Sequence, residues 1–96
     1  MNLPQRFTND DWRLQGQERY LSRATLFWRA WHQSRPNWDH DHCAFCRAKF
    51  LGRGDVPDVL REGYTTEDEY HWVCGDCARD FAPRFKFTLI GGPAAT

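Results

Sequence analysis

A small α+β protein is what this sequence predicts: an N-terminal amphipathic helix, then a module of short strands with one short helix. Three observations predict it. Two C-x-x-C pairs, Cys43/Cys46 and Cys74/Cys77, stand 27 residues apart. Upstream, Leu14, Leu21 and Trp28 lie seven apart, and Ala24 and Trp31 extend the stripe at helical spacing. Short β-prone runs, "RAKFL", "YHWV" and "KFTLI", follow the first pair, lead into the second, and close the chain.

The chain has 96 residues, the length of one domain, 1–96. A domain this short buries a modest share of its surface and often relies on disulfides, metal or a partner. Aromatic residues make up 16%, with five Trp and seven Phe, enough to fill a small core and to furnish an interaction surface. The formal net charge is zero, which argues against a wholly basic nucleic-acid binder. The opening "MNLPQRFTNDDW" lacks an apolar run, and nothing approaches the ~18 apolar residues of a membrane span. A cytoplasmic protein is expected.

Element by element, the helix is placed in residues 9–35. Thr8 or Asn9 is its candidate cap, with Asp10 and Asp11 in the first turn. Gly16 weakens that turn, so the helix starts at Gln17 or bends there. Arg19, Arg23 and Arg29 fall off the apolar stripe, while Tyr20 and Phe27 make a second aromatic line. Pro36 ends the helix, because proline disfavours helical geometry in the residue before it. A metal module is placed at 40–88. Within it "GRGDVPD" reads as turn, and "VLREGYTTEDE" is ambiguous, with Gly63 and the acidic run favouring loop. "GDCARDFAPRF" reads as a short helix disturbed near Pro83, and 91–96 as a flexible tail.

The cysteines carry the chemistry. A C-x-x-C turn brings two sulfurs close enough to share an ion, and two such turns supply the four thiolates of a structural zinc site. One structural Zn2+ on Cys43, Cys46, Cys74 and Cys77 is therefore expected. Iron remains an alternative to zinc, two disulfides would need an oxidising compartment, and His40, His42 or His71 is a candidate replacement ligand. Binding zinc at such a site is worth on the order of 10–16 kcal/mol. Small domains have a net stability of ~5–15 kcal/mol, so the C-terminal half is expected to lose its structure without metal.

Four thiolates close the coordination shell, whereas catalytic zinc keeps an open position. No other nucleophile sits beside an obvious base, and "GRGD" is too short for a phosphate loop. No enzyme is expected. "DHDH", ahead of Cys43, reads as outer support in which His and Asp groups bond nearby backbone.

The layout resembles the treble-clef and zinc-ribbon architectures: a knuckle "CAFC", a strand, a return strand "YHWV", and "CGDC" opening a helix. "GQERYL", "DHDHCAFCRAKF", "EGYT" and "YHWVCGDCARDF" also look like a group of small bacterial zinc-binding proteins. Some members stand beside antibacterial toxins, as immunity proteins do, and the resemblance implies a protein partner.

Charge points the same way. Residues 36–80 hold five basic against ten acidic side chains, and zinc on four thiolates adds negative charge. Phosphate would be repelled. The acidic loop supplies the candidate partner-binding residues: Asp55, Asp58, Glu62, Tyr64, Glu67, Asp68, Glu69 and Tyr70. The expected function is a zinc-stabilised inhibitor or immunity protein whose acidic loop enters a basic cleft of a toxin. The alternative is a nucleic-acid-binding zinc ribbon using Arg19, Arg23, Arg29 and Arg35. Trp28, Trp31, Trp72, Phe81 and Phe85 are expected in the core, and Trp38, Tyr64 and Tyr70 at the surface.

Overall fold

Backbone pairing between distant segments decides the architecture. The computed structural model describes residues 11–52 and 58–93. The elements run α1 Glu18–Leu21, β1 Thr25–Ala30, β2 Asp41–His42, β3 Lys49–Phe50, β4 Glu62–Thr65, β5 Trp72–Val73, α2 Gly75–Phe85 and β6 Thr88–Ile90. Four strands form one sheet in the order β5-β4-β1-β6, and β2 pairs with β3 in a second, two-stranded sheet. β1 runs antiparallel to β4 and parallel to β6. The described residues make a small mixed α/β protein with two helices. No helix among the described residues is long and apolar enough to cross a membrane.

The expected helix over 9–35 is replaced by something else. Residues 9 and 10 lie outside the described ones; α1 is a single turn, and β1 occupies the segment that carries Phe27 and Trp28. Positive φ values at Gly16 (85°) and Arg23 (62°) bracket α1 and stop it. The run "TLFW" is β-branched and aromatic, which suits a pleated surface, and β1 gains backbone partners on both sides. The seven-residue spacing of apolar side chains thus arose from residues on separate elements. Arg23 turns the chain from α1 into β1, its backbone N–H donating to the carbonyl of Phe85 at 2.7 Å.

Residues 62–65 also depart from the expected loop. They form β4, with Gly63, Tyr64 and Thr65 all buried. A Cβ on Gly63 would sit 2.5 Å from the Phe50 ring and 3.1 Å from the Val73 carbonyl, so glycine here marks close packing rather than a turn. The expected strands at "RAKFL", "YHWV" and "KFTLI" are β3, β5 and β6. α2 continues through Pro83 to Phe85 and ends with Lys86 in the left-handed region, its N–H bonded to the Ala82 carbonyl. Of the tail, residues 91–93 are described: Gly91 accepts a hydrogen bond from the Tyr64 hydroxyl at 2.7 Å, and Gly92 packs under the Trp28 indole.

The core lies between the sheet and α2. Trp31, Trp72, Phe81 and Phe85 are buried as expected, and Trp28 is half-buried with its ring edge-on to Tyr64 at 4.9 Å. Phe45, inside the first C-x-x-C, stacks on Phe81 at 4.7 Å and meets Phe85 edge-on at 5.2 Å. Each such pair adds about 0.5–1.5 kcal/mol beyond area burial. The knuckle is thereby locked to α2 by its own central residue.

Candidate metal centre

Two turns of backbone bring the thiols together. Cys43–Arg47 forms a tight turn in which the Arg47 N–H donates to the Cys43 carbonyl at 3.1 Å, with Arg47 itself at φ 72°. β5 then delivers Cys74, which is the N-cap of α2, and Cys77 lies in the first turn of that helix. An isolated bridge between Cys43 and Trp72 aligns the two halves, and the Ala44 N–H donates to the Trp72 carbonyl at 2.8 Å.

The four Sγ atoms all lie within 4.8 Å of one another, and those of Cys46 and Cys74 are 3.7 Å apart. Tetrahedral zinc with Zn–S bonds of ~2.3 Å places its sulfurs about 3.8 Å apart, so the donor set fits one such ion. All four are free cysteines; Cys43, Cys74 and Cys77 are buried, and Cys46 is half-buried. Cys43 Sγ accepts from the backbone N–H of Phe45 (3.4 Å) and of Cys74 (3.3 Å), and Cys74 Sγ accepts from that of Cys77 (3.4 Å). The amino end of α2 also directs its positive pole at the sulfurs.

The ionisation of the thiols is divided unequally. Hydrogen bonds from the Cys74 and Cys77 side chains push Cys43 down to about 2, whereas Cys74 is pushed up to about 12 by its bond to Cys43. Cys77 is raised further, first by its bond to Cys43 and then by that to Cys74. Among Cys43, Cys74 and Cys77, one thiolate is favoured and disfavours ionisation of the other two. A divalent ion offsets that cost, because its charge favours deprotonation of the thiols that coordinate it.

Among the described residues this is the group that can hold a metal ion, and it includes no histidine. The "DHDH" segment acts elsewhere. Asp41, nearly buried, accepts from the indole N–H of Trp31 at 2.8 Å and of Trp38 at 3.0 Å. His40 bonds Asp39 at 2.7 Å and meets His42 edge-on at 5.0 Å. The expected bonding of this segment to nearby backbone is thus corrected: Asp41 serves two indoles.

Two contributors escaped the sequence reading. Arg13 Nη1 donates to Cys77 Sγ at 3.6 Å and to Asp80 at 3.1 Å, while Asp11 holds the other side of the guanidinium at 2.9 and 3.1 Å. The guanidinium also lies 4.4 Å over the Phe81 ring. Hydrogen bonding to Asp11 raises the Arg13 pKa further, so it is a fixed positive charge against the sulfurs. Gln17, 2% exposed, donates from Nε2 to the carbonyls of Arg13 (2.7 Å) and Ala44 (2.9 Å). It ties the N-terminal arm to the knuckle. Neither residue has a local signal for this role, since Cys77, Asp80 and Ala44 lie far from them in sequence.

The acidic candidates are scattered in role. Asp55 lies outside the described residues. Tyr64, expected at the surface, is fully buried, because it stands on the inner face of β4 and its hydroxyl is used by Gly91. Glu62 accepts from the Trp28 indole N–H at 3.0 Å. Glu69 is held by Arg29 at 3.0 Å and His32 at 2.8 Å, which spends its charge internally. Asp68 accepts from the Thr66 hydroxyl (2.6 Å) and the Tyr70 N–H (3.0 Å), and the Thr66 bond lowers its carboxyl pKa. Asp58, Glu67, Asp68 and Tyr70 are exposed. The turn between β4 and β5 brings Glu67, Asp68 and Tyr70 together.

Comparison with protein-family models, curated proteins and solved structures finds no match to this chain.

Proposed function

We propose that the chain is a non-enzymatic, zinc-stabilised protein-interaction module of treble-clef-like build. In this reading it works in the cytoplasm and neutralises a partner such as a bacterial toxin, presenting carboxylates to a basic site. The observation that carries the reading is the four-thiol cluster. Four sulfurs fill a tetrahedral shell, so substrate and water have no position on the ion. The ion's work is then to hold two turns and a helix together, and function belongs to the surface so organised.

Electrostatics supports a basic partner. Residues 36–80 carry twice as many acidic as basic side chains, and exposed Glu67 and Asp68 ride on a short hairpin anchored beside the metal. Such complementarity speeds association and fixes orientation. A nucleic-acid-binding role would draw on exposed Arg19 and Arg23, since Arg29 pairs with Glu69, but the carboxylate surplus opposes phosphate.

The test is affinity capture with zinc-loaded protein, with and without nuclease, followed by reconstitution from the two purified components. A partner that binds one-to-one, ignores nuclease, and loses its toxicity or activity in the complex supports the reading. Recovery of nucleic acid that disappears as salt rises replaces it with the nucleic-acid role.

A further inference from the structure

The segment after β1 and the β4–β5 turn meet in a stack of three side chains. The Arg35 guanidinium carbon lies 5.2 Å from the Trp38 ring and 5.0 Å from the Tyr70 ring. Both rings remain open outward, Trp38 at 40% and Tyr70 at 51% exposure. Each is fixed from behind. The Trp38 indole donates to Asp41, and the Tyr70 backbone N–H is held by Asp68. The Tyr70 ring meets His71 edge-on at 4.8 Å, and His71 stacks on Tyr20 at 4.4 Å.

The stack does not serve the core; the two rings hold the Arg35 guanidinium by cation–π contact. Its Nη2 is buried yet has no hydrogen-bond partner among the described residues, and such an orphaned donor is normally costly. What the arrangement achieves is a stiff, outward-facing Trp–Arg–Tyr surface. These are the three residue types that dominate binding hot spots, and rings already fixed lose little entropy on contact.

Two recesses with carboxylates lie beside it. One of ≈ 410 Å³ is lined by Trp38, Asp39 and Asp41 together with His40. Another of ≈ 370 Å³ is lined by Thr66, Glu67 and Asp68, next to Tyr70. Asp39 bonds His40 through Oδ1, yet its side chain is 82% exposed. Both Asp41 oxygens are engaged by indoles. Asp39, Glu67 and Asp68 are therefore the carboxylates open to an incoming cation.

We propose that the Trp38–Arg35–Tyr70 stack is the binding hot spot of this protein, and that it takes a Lys- or Arg-bearing segment of a partner protein. The partner's cations pair with Asp39, Glu67 and Asp68, and their aliphatic stems lie on the outer ring faces. The proposal rests on the protein-interaction reading above and replaces buried Tyr64 with Trp38 as an aromatic anchor.

A hexa-arginine peptide is the probe, followed by tryptophan fluorescence at low salt, with hexa-glutamate and a thymidine oligonucleotide of similar length as competitors. Tyr70→Ala and Trp38→Phe should each weaken peptide binding about tenfold, Tyr70→Ala being the safer variant because Trp38→Phe also removes the indole bond to buried Asp41. Trp12→Ala removes a still more exposed indole elsewhere and should leave affinity unchanged. Zinc content and near-ultraviolet circular dichroism check that each variant is folded. Equal losses in all three variants, no loss in Tyr70→Ala, or tighter binding of the oligonucleotide overturns the proposal. The two readings fail separately: a captured partner that still binds Tyr70→Ala at full strength refutes this surface alone, whereas peptide binding at the stack with no protein partner refutes the function alone.

Discussion

Replacing Arg13 by Gln tests whether the metal centre extends beyond its four ligands. The guanidinium stands 3.6 Å from Cys77 Sγ. For unit charges at that separation and an effective dielectric of about 20, the attraction is on the order of 4–5 kcal/mol. Asp11 and Asp80 share the same cation at 2.9 and 3.1 Å, and its side chain keeps 17% exposure, so much of this is offset. Outer groups around metal ligands typically contribute ten- to hundredfold in affinity, about 1.4–2.8 kcal/mol. Arg13→Gln should weaken zinc binding by that factor, measured by competition with a chromogenic chelator. Arg13→Lys, which keeps the charge and loses the fork, should recover part of it. Asp80→Asn breaks the ion pair while sparing the contact to Cys77, and should cost less than Arg13→Gln. Wild-type affinity in Arg13→Gln, or a larger loss in Asp80→Asn, would refute the idea that this cation offsets the charge of the thiolates.

Two further outcomes follow from polar groups wholly or partly withdrawn from solvent. Asp41→Ala leaves the Trp31 indole N–H, at 7% exposure, without its acceptor; urea unfolding should show a loss of about 1–3 kcal/mol, and an unchanged midpoint would mean the bond contributes nothing. Burial holds His71 below its ordinary value, so the unfolded chain binds the proton more readily. Stability should then fall as pH drops from about 6.5 toward the lower folded value, and His71→Phe should remove that part of the slope in a difference measurement against wild type. Identical slopes in the two proteins would show that His71 carries no such linkage.

The cysteine spacing was legible because it is a local pattern with a narrow chemical meaning. β3, β5, α2 and β6 were legible for the related reason that each carries its own propensity or cap. β1 was not: Leu14, Leu21 and Trp28 satisfy a helical period, and only pairing with β4 and β6, more than thirty residues away, selects the strand. β4 was hidden by Gly63, which reads as a loop residue until the Phe50 ring fills its place. Tyr64 followed β4 inward. Arg13 and Gln17 reach the cluster only through tertiary packing, so nothing near them in sequence could announce it. The acidic run was visible as composition, but Glu62 and Glu69 turned out to be bonded within the fold.

The central claim is that one zinc ion on four cysteines holds this fold, and intact-mass spectrometry under native conditions tests it directly when paired with thiol titration and near-ultraviolet circular dichroism. One zinc per chain, four thiols that react only after chelation, and collapse of the aromatic signal as the metal leaves are the predicted results. A metal-free chain with four reactive thiols and an undiminished aromatic signal would contradict the account.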